Sequence, residues 1–283
     1  MRIKSIDVFL PYYKANDFFD SIMGLITFLS DFGVSDHYVA AVKARILRVN
    51  PEAKIVDITH QIKPFDIIHG SYVLGAVFRD FPEGTVHLFG VDSFSTATTR
   101  HIAVKLEGHY FVGPDNGLLS LISEEAPKGM VALELEDGLS SAFPLKEICA
   151  AAAARLSLGE ALPKVGTYTS GLERFISRKP RLTSDQIIGH VLHVDGYGNL
   201  VTNISREDFE KRTAGRKYTI RVARERFKEV HQAISDVDYG DCYLIFNSRN
   251  VLEVGINKGN ASQLLGLHFE SLISVQFEEE EAQ

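Results

Sequence analysis

The stretch Gly24-Leu25-Ile26-Thr27-Phe28-Leu29-Ser30-Asp31-Phe32-Gly33 decides how the rest of the chain is read. Residues 24–29 are a short apolar run, and turn-forming residues follow at once, the pattern of a strand buried on both faces. Ser35 is placed to cap a helix. Tyr38, Val39, Val42, Ile46 and Leu47 then recur at helical spacing, with Pro51 just past the end.

Working outward, the spacing predicts strands at 54–58, 85–91, 101–105 and 110–112. Helices are predicted over 66–81, 117–123 and 146–158, the last carrying the run Ala150–Ala154, which suits close helix packing. Alternating strands and helices make residues 24–170 an α/β domain with a mostly parallel sheet flanked by helices. Residues 171–184, rich in Arg, Lys, Pro and Ser, read as a linker, and its basic cluster Arg174, Arg178, Lys179 and Arg181 as a solvated run. Over 185–283 strand signals dominate, at 189–194, 200–204, 217–222, 243–246, 251–256 and 272–277. They predict an all-β, barrel-like domain. Residues 1–23 show no clean periodicity and no signal-peptide pattern. They read as an N-terminal extension, with translation expected to begin at Met23.

Composition narrows the function. The chain has 283 residues, 45% of them hydrophobic, and a formal charge of −7. It is long enough for two ordinary domains and too apolar for disorder. The acidic balance argues against nucleic acid as partner, and no apolar run is long enough to span a bilayer. Two distant cysteines, Cys149 and Cys242, with no CxxC pattern, point to a reduced, cytoplasmic protein whose thiols simply pack.

Acidic residues follow the ends of the first strands. Asp31 and Asp36 flank the loop after the first, Asp66 caps the helix after the second, and Asp92 directly follows the third. Ligands of open parallel sheets bind at the carboxyl ends of the strands. Several carboxylates there suit a cation or a polyol, although each alone could be a cap or turn residue. The ten histidines form no convincing metal site. His190 and His193 lie three apart in a strand and point to opposite faces, and His60 and His69 read as core or cap residues, so no metal is predicted. Asp31-Phe32-Gly33 is not a kinase signature, because no glycine-rich loop or His-Arg-Asp loop accompanies it.

The ordered set of motifs resembles the S-adenosylmethionine (SAM) hydroxide adenosyltransferase and halogenase family. It begins with Thr27 to Gly33 and Asp36, and continues through Ile55-Val56-Asp57-Ile58-Thr59-His60, Pro64-Phe65-Asp66-Ile67 and Phe81-Pro82-Glu83-Gly84-Thr85. It ends with Pro114-Asp115-Asn116-Gly117, Asp195-Gly196-Tyr197-Gly198-Asn199, Thr202-Asn203-Ile204, Asn247-Ser248 and Leu252-Glu253. The resemblance implies that Asp31 accepts the ribose hydroxyls of SAM and that Asp36 and Asp195 receive the methionine ammonium. Phe65 would pack near the ribose, Tyr197 against adenine, and Asn199 would read the adenine edge. Ser248 and Arg249 would hold the methionine carboxylate. Ser95 and Phe143 complete the substrate-binding set. The resemblance also implies a homotrimer with sites between subunits, with SAM as substrate, adenosine as product and no further cofactor.

Family hydrolases displace methionine from the ribose 5′ carbon with water, held by an Asp, an Arg and a His. Here Asp92 matches the Asp. Thr99 stands at the Arg position, with Arg100 next to it, and Pro144 stands at the His position. The resemblance therefore implies a SAM hydrolase with Asp92 and Arg100 as its catalytic residues. The alternatives are a catalytically impaired SAM or adenosine binder and, more distantly, a halogenase. The retained Asp92 opposes the last, since a carboxylate repels an incoming halide.

Overall fold

The computed structural model describes residues 24–93, 99–134, 142–176 and 178–278. Residues 1–23, read from the sequence as an extension, and Ser95 lie outside the described residues. The contacts divide the chain into two compact units. Among the described residues, the first holds those up to Phe65, those of Phe78–Asn116 and those of Glu124–Leu172, and the second holds Asp66–Val77, Gly117–Ser123 and those from Glu173 on.

The first unit carries β1 (Leu25–Ser30), β2 (Lys54–Thr59), β3 (Val86–Gly90), β4 (His101–Leu106), β5 (His109–Pro114), β6 (Gly129–Leu133) and β7 (Thr167–Tyr168). They form one sheet in the order β2-β1-β3-β5-β4-β6-β7. The β2-β1-β3-β5 side is parallel, while β5-β4-β6-β7 is antiparallel, so the sheet is mixed. β1 lies between β2 and β3, so the chain leaves it toward one neighbour and later returns to the other. That reversal opens a crevice at the carboxyl ends of β1 and β3, the place where such sheets bind ligands.

Apolar residues explain this architecture. Ile26, Phe28, Val86, Leu88 and Val112 are buried in the sheet, and Val42 and Ile46 face it from the helix Tyr38–Val49. The alanines from Ala150 to Ala154 are all buried in the helix Ala150–Ser157, where the small side chains permit close approach. A methyl group on Gly90 would collide with Leu145, so glycine at the end of β3 admits the neighbouring turn. Within the sheet, Thr27 Oγ1 lies 2.7 Å from His87 Nδ1, and His87 Nε2 lies 3.1 Å from His109 Nδ1. Burial first, then His109, pushes the His87 pKa down to about 3.

Three sequence expectations need correction. Ser35 does not cap the first helix, which begins at Tyr38 with His37 at the cap position and no side-chain cap bond. The helix expected over 66–81 is Ile67–Val77 followed by a 3₁₀ turn, Phe78–Asp80. The helix expected from Lys146 opens instead as a π-turn, Leu145–Cys149, which widens the first turn after Pro144.

In the second unit, β8 (Arg181–Leu182), β9 (Gln186–Val194), β10 (Leu200–Ser205), β11 (Tyr218–Val222), β12 (Glu225–Phe227), β13 (Cys242–Phe246), β14 (Val251–Ile256) and β15 (Leu272–Phe277) pair throughout in antiparallel fashion. The order β12-β11-β15-β9-β10-β14-β13, with β8 on β9, gives the curled, barrel-like sheet expected. Ile187, Val191, Leu200, Ile220, Leu244, Val254 and Ile273 fill its core. The short β8 lies inside the segment read as a linker. The helix Arg206–Thr213 has no clear apolar stripe and so escapes a periodicity reading. Its start is set locally, by Ser205 Oγ accepting from the Asp208 N–H.

Both cysteines are free, Cys149 fully buried and Cys242 partly so. Among the described residues no helix is long and apolar enough to cross a membrane.

Candidate functional site

The crevice between β1 and β3 is organised by one carboxylate. Asp31 follows β1, and its own N–H donates to the Gly90 carbonyl at the end of β3, 3.2 Å away. Asp31 Oδ2 accepts the N–H of Phe65 at 2.9 Å and the N–H of Asp92 at 3.1 Å. These two donors are 34 and 61 residues away along the chain. Both also have positive φ, 64° at Phe65 and 47° at Asp92, a conformation that costs a non-glycine residue energy. Loops strained in this way persist where their surroundings hold them, and here Asp31 does so.

Asp92 thereby sits beside Asp31. Burial first, and the Asp31 charge second, raise the pKa of its carboxyl above the usual range. The Nδ2 of Asn116 donates to the Val91 carbonyl at 2.8 Å and tethers the segment that carries Asp92. Phe143 packs against Phe32 and Tyr38, all three ring pairs being 5.6–5.9 Å apart, and so forms an aromatic wall beside the same loop. Asp36 is exposed on that loop, and Phe65 is 71% exposed.

A second layer, which the motif reading left unassigned, supports this loop from beneath. The Nδ1 of buried His60 lies 2.8 Å from Ser30 Oγ, and its carbonyl accepts the Gly33 N–H at 2.7 Å. Its Nε2 lies 3.1 Å from Asp57 Oδ1, and Lys43 reaches Asp57 Oδ2 at 2.6 Å. Burial lowers the His60 pKa more than Asp57 raises it. Burial also works against the Asp57 charge, but the bonds from Lys43 and His60 outweigh it and keep the carboxylate ionised. His60 thus clasps both ends of Ser30-Asp31-Phe32-Gly33. The Asp57-to-His60 spacing was the only sequence signal for it.

Arg100 is engaged elsewhere. Its guanidinium donates to Asp115 Oδ2 at 2.5 Å, to Thr169 Oγ1 at 3.1 Å and to the carbonyls of Ser170 and Gly171. Asp115 is buried, so this is an ion pair that clamps the turn at 169–171. To reach a water beside Asp92, Arg100 would have to give up those bonds.

In the second unit the loop between β9 and β10 carries Asp195, Tyr197 and Asn199. Asp195 Oδ1 accepts the N–H groups of Tyr197 and Asn199, each at 2.9 Å, and Oδ2 accepts Asn199 Nδ2 at 3.0 Å. Three of its lone pairs are used locally, which leaves one for a ligand. Tyr197 projects its ring outward, 83% exposed. Buried Tyr243 donates to Asn199 Oδ1 at 3.1 Å.

Asn247 Nδ2 binds Glu253 Oε2 at 3.0 Å, and Asn247 Oδ1 accepts the Arg249 N–H at 3.0 Å, fixing the turn that presents Ser248 and Arg249. Arg249 also donates to the Tyr72 carbonyl at 3.3 Å and lies over the Tyr72 ring. Burial, helped by Glu253, pushes the Tyr72 pKa up to about 12, and burial raises that of Glu253 as well. Asp66 does act as a cap, since its Oδ1 accepts the His69 N–H at 2.9 Å. His193 stacks on His69 at 4.4 Å, while His190 faces Asn203. Among the described residues, no group of three or more His, Cys, Asp or Glu side chains is arranged to hold a metal ion.

Known proteins share this arrangement of strands and loops. Residues 26–166 match the model of the SAM hydroxide adenosyltransferase N-terminal domain, and residues 189–274 match that of its C-terminal domain. A protein of Methanocaldococcus jannaschii named (R)-S-adenosyl-L-methionine hydrolase is 30% identical over 265 residues, covering 88% of this chain and 95% of its own. A Nocardia brasiliensis fluorinase is 30% identical over 230 residues, or 70% of this chain and 77% of its own. The crystal structure of an uncharacterized conserved protein from Thermotoga maritima superposes with a TM-score of 0.80. It is 36% identical and covers 89% of this chain and 99% of its own. With both domain models matched in order over most of its length, the chain belongs to the SAM hydroxide adenosyltransferase family.

Proposed function

We propose that this protein is an enzyme that hydrolyses SAM, water displacing methionine from the ribose 5′ carbon to give adenosine and L-methionine. One observation carries the reading: Asp31 accepts the backbone N–H of Asp92 at the crevice of the first sheet, which keeps the Asp92 carboxyl within reach of the Asp31 charge. The chemistry asks little of the leaving side, because a sulfonium departs as a neutral thioether and needs no general acid. The protein must hold the ribose and aim a water along the carbon–sulfur axis. Asp31 keeps its second oxygen for the ribose hydroxyls, and the cationic substrate is drawn to the carboxylate pair.

Asp92, with its raised pKa, accepts the water's proton. Activity then falls as pH drops through the Asp92 pKa, which lies above the ordinary carboxylate value. Arg100 acts as a clamp on Asp115 and leaves the water to Asp92. By resemblance to the family, Asp36 and Asp195 are the groups that receive the methionine ammonium, Ser248 and Arg249 those that hold its carboxylate, and Ser95 and Phe143 the rest of the substrate-binding set. The high exposure of Phe65 and Tyr197 favours a homotrimer in which a neighbouring subunit covers these rings. Two free cysteines favour the cytoplasm.

The engagement of Arg100 and the proline at 144 favour a second reading, a SAM binder without turnover. Incubating the purified protein with SAM and separating the products by chromatography decides between the two. Adenosine with equimolar methionine supports hydrolysis. Calorimetric SAM binding with no adenosine over hours overturns it in favour of the binder.

A further inference from the structure

Asn199 is 8% exposed, and its side-chain amide is held at both ends. Asp195 is a carboxylate and can only accept, so the contact at 3.0 Å to its Oδ2 must be made by the Asn199 NH₂ group. The Oδ1 end therefore faces Tyr243, whose hydroxyl must be the donor in the 3.1 Å bond. Asp195, which can only accept, thus decides which end of the amide is which, and the Tyr243 hydroxyl, able to donate or accept, donates to the Oδ1 end and holds it in place.

Tyr243 itself is built into this position. It is 2% exposed and pairs across the strands with Gly255, where any Cβ would strike the phenol ring. Burial, with the charges of Glu253 and Asp195, pushes the pKa of its hydroxyl up to about 12, so the phenol keeps its proton throughout any ordinary assay. After both bonds are made, Asn199 retains one N–H and one oxygen lone pair. That donor–acceptor pair complements the N7 acceptor and 6-amino donor of adenine. A 6-oxo purine presents two acceptors on the same edge and leaves the Asn199 oxygen opposed by another oxygen.

We infer that Tyr243 is a specificity-determining positioning residue, which anchors the Oδ1 end of Asn199 so that the second unit selects a 6-aminopurine nucleoside over its 6-oxo counterpart. This rests on the proposed function, in which the adenosyl group is the ligand. Tyr243 acts through Asn199, so its loss should move KM and base choice rather than kcat.

The test compares wild type with Tyr243→Phe, which keeps the ring in its place opposite Gly255. Calorimetry with adenosine and inosine gives the base preference directly, without need of turnover. Wild type should favour adenosine by roughly a hundredfold or more, as sites built around such hydrogen bonds do. Tyr243→Phe should lower that ratio by about tenfold, the effect of leaving one buried acceptor unpaired. The KM for SAM should rise by a similar factor.

A thermal melt within a few degrees of wild type shows that the variant is folded. If it is not, Tyr243→His, which restores a ring donor, replaces it and should recover part of the preference that Tyr243→Ala loses. An unchanged adenosine-to-inosine ratio in a folded variant, with wild type binding adenosine, overturns this inference alone. No adenosine or SAM binding by wild type overturns the functional reading and this inference with it.

Discussion

Asp31 and Asp195 each anchor a loop that carries candidate ligand groups, yet they do so in opposite ways. Asp195 takes its three bonds from residues two and four positions ahead, so its loop is a local device closed on itself. Asp31 takes its bonds from Phe65 and Asp92, across 34 and 61 residues, and both donors are backbone positions in a strained conformation. The first kind of loop is stabilised by its own hydrogen bonds. The second stores strain that the tertiary fold holds in place, and such strain is concentrated where geometry must be preset for chemistry. Under the proposed function, the catalytic part of the reaction would fall to the first unit and recognition to the second.

The largest expected effect is on Asp92. Asp92→Asn should lower kcat by about 10²–10⁴, the range of a lost general base, with KM within a few-fold of wild type, read as adenosine formed per enzyme. The acid limb of the pH profile should vanish with it. A variant that keeps both rate and limb would assign the chemistry elsewhere.

Asp31→Ala and Asp195→Ala separate the two kinds of anchor. Asp31→Ala should reduce kcat/KM by about a hundredfold while changing unfolding free energy by less than about 1 kcal/mol, because relaxed strain at Phe65 and Asp92 offsets the lost bonds. Asp195→Ala relieves no strain and should cost about 1–3 kcal/mol in urea unfolding. Equal stability losses would erase the distinction.

Acid should divide the units in the same sense. The folded-state pKa of His87 is depressed to about 3, so its contribution to stability is complete above the unfolded value near 6.5 and is lost as pH falls toward 3. Buried His101 and His109, also with lowered pKa values, add to this in the first unit. Glu253 in the second unit has the opposite sign: its raised pKa means that acidification relieves a burial penalty. Hydrogen exchange resolved by peptide, compared at pH 7 and pH 5 after correction for intrinsic rates, should show protection lost first in the first sheet. Earlier loss in the second sheet would reverse the assignment.

The smallest effect belongs to His60, which supports the loop of Asp31 through Ser30 and Gly33 and rests on Asp57 and Phe28. His60→Ala should raise KM for SAM about three- to tenfold, roughly the worth of one buried hydrogen bond, and His60→Asn, which keeps a group near Ser30 Oγ, should recover part of it. Equal KM values for wild type and both variants would exclude a positioning role.

Much of this was readable along the chain. The run 24–29 and the turn after it announce a buried strand with a carboxylate at its end, because strand burial and turn chemistry are local properties of sequence. The Asp195-to-Asn199 loop is equally local. What no window of sequence contains is the contact between Asp31 and Asp92, the burial that raises the Asp92 pKa, or the diversion of Arg100 to Asp115. Ser35 misled for the same reason, since its capping potential was outweighed by the path of the chain into Tyr38. Patterning determined which residues would stand at strand ends. Only strand order and close packing decided which of them would meet, because hydrogen bonds and charge coupling act over a few ångströms of space, whatever the distance along the chain.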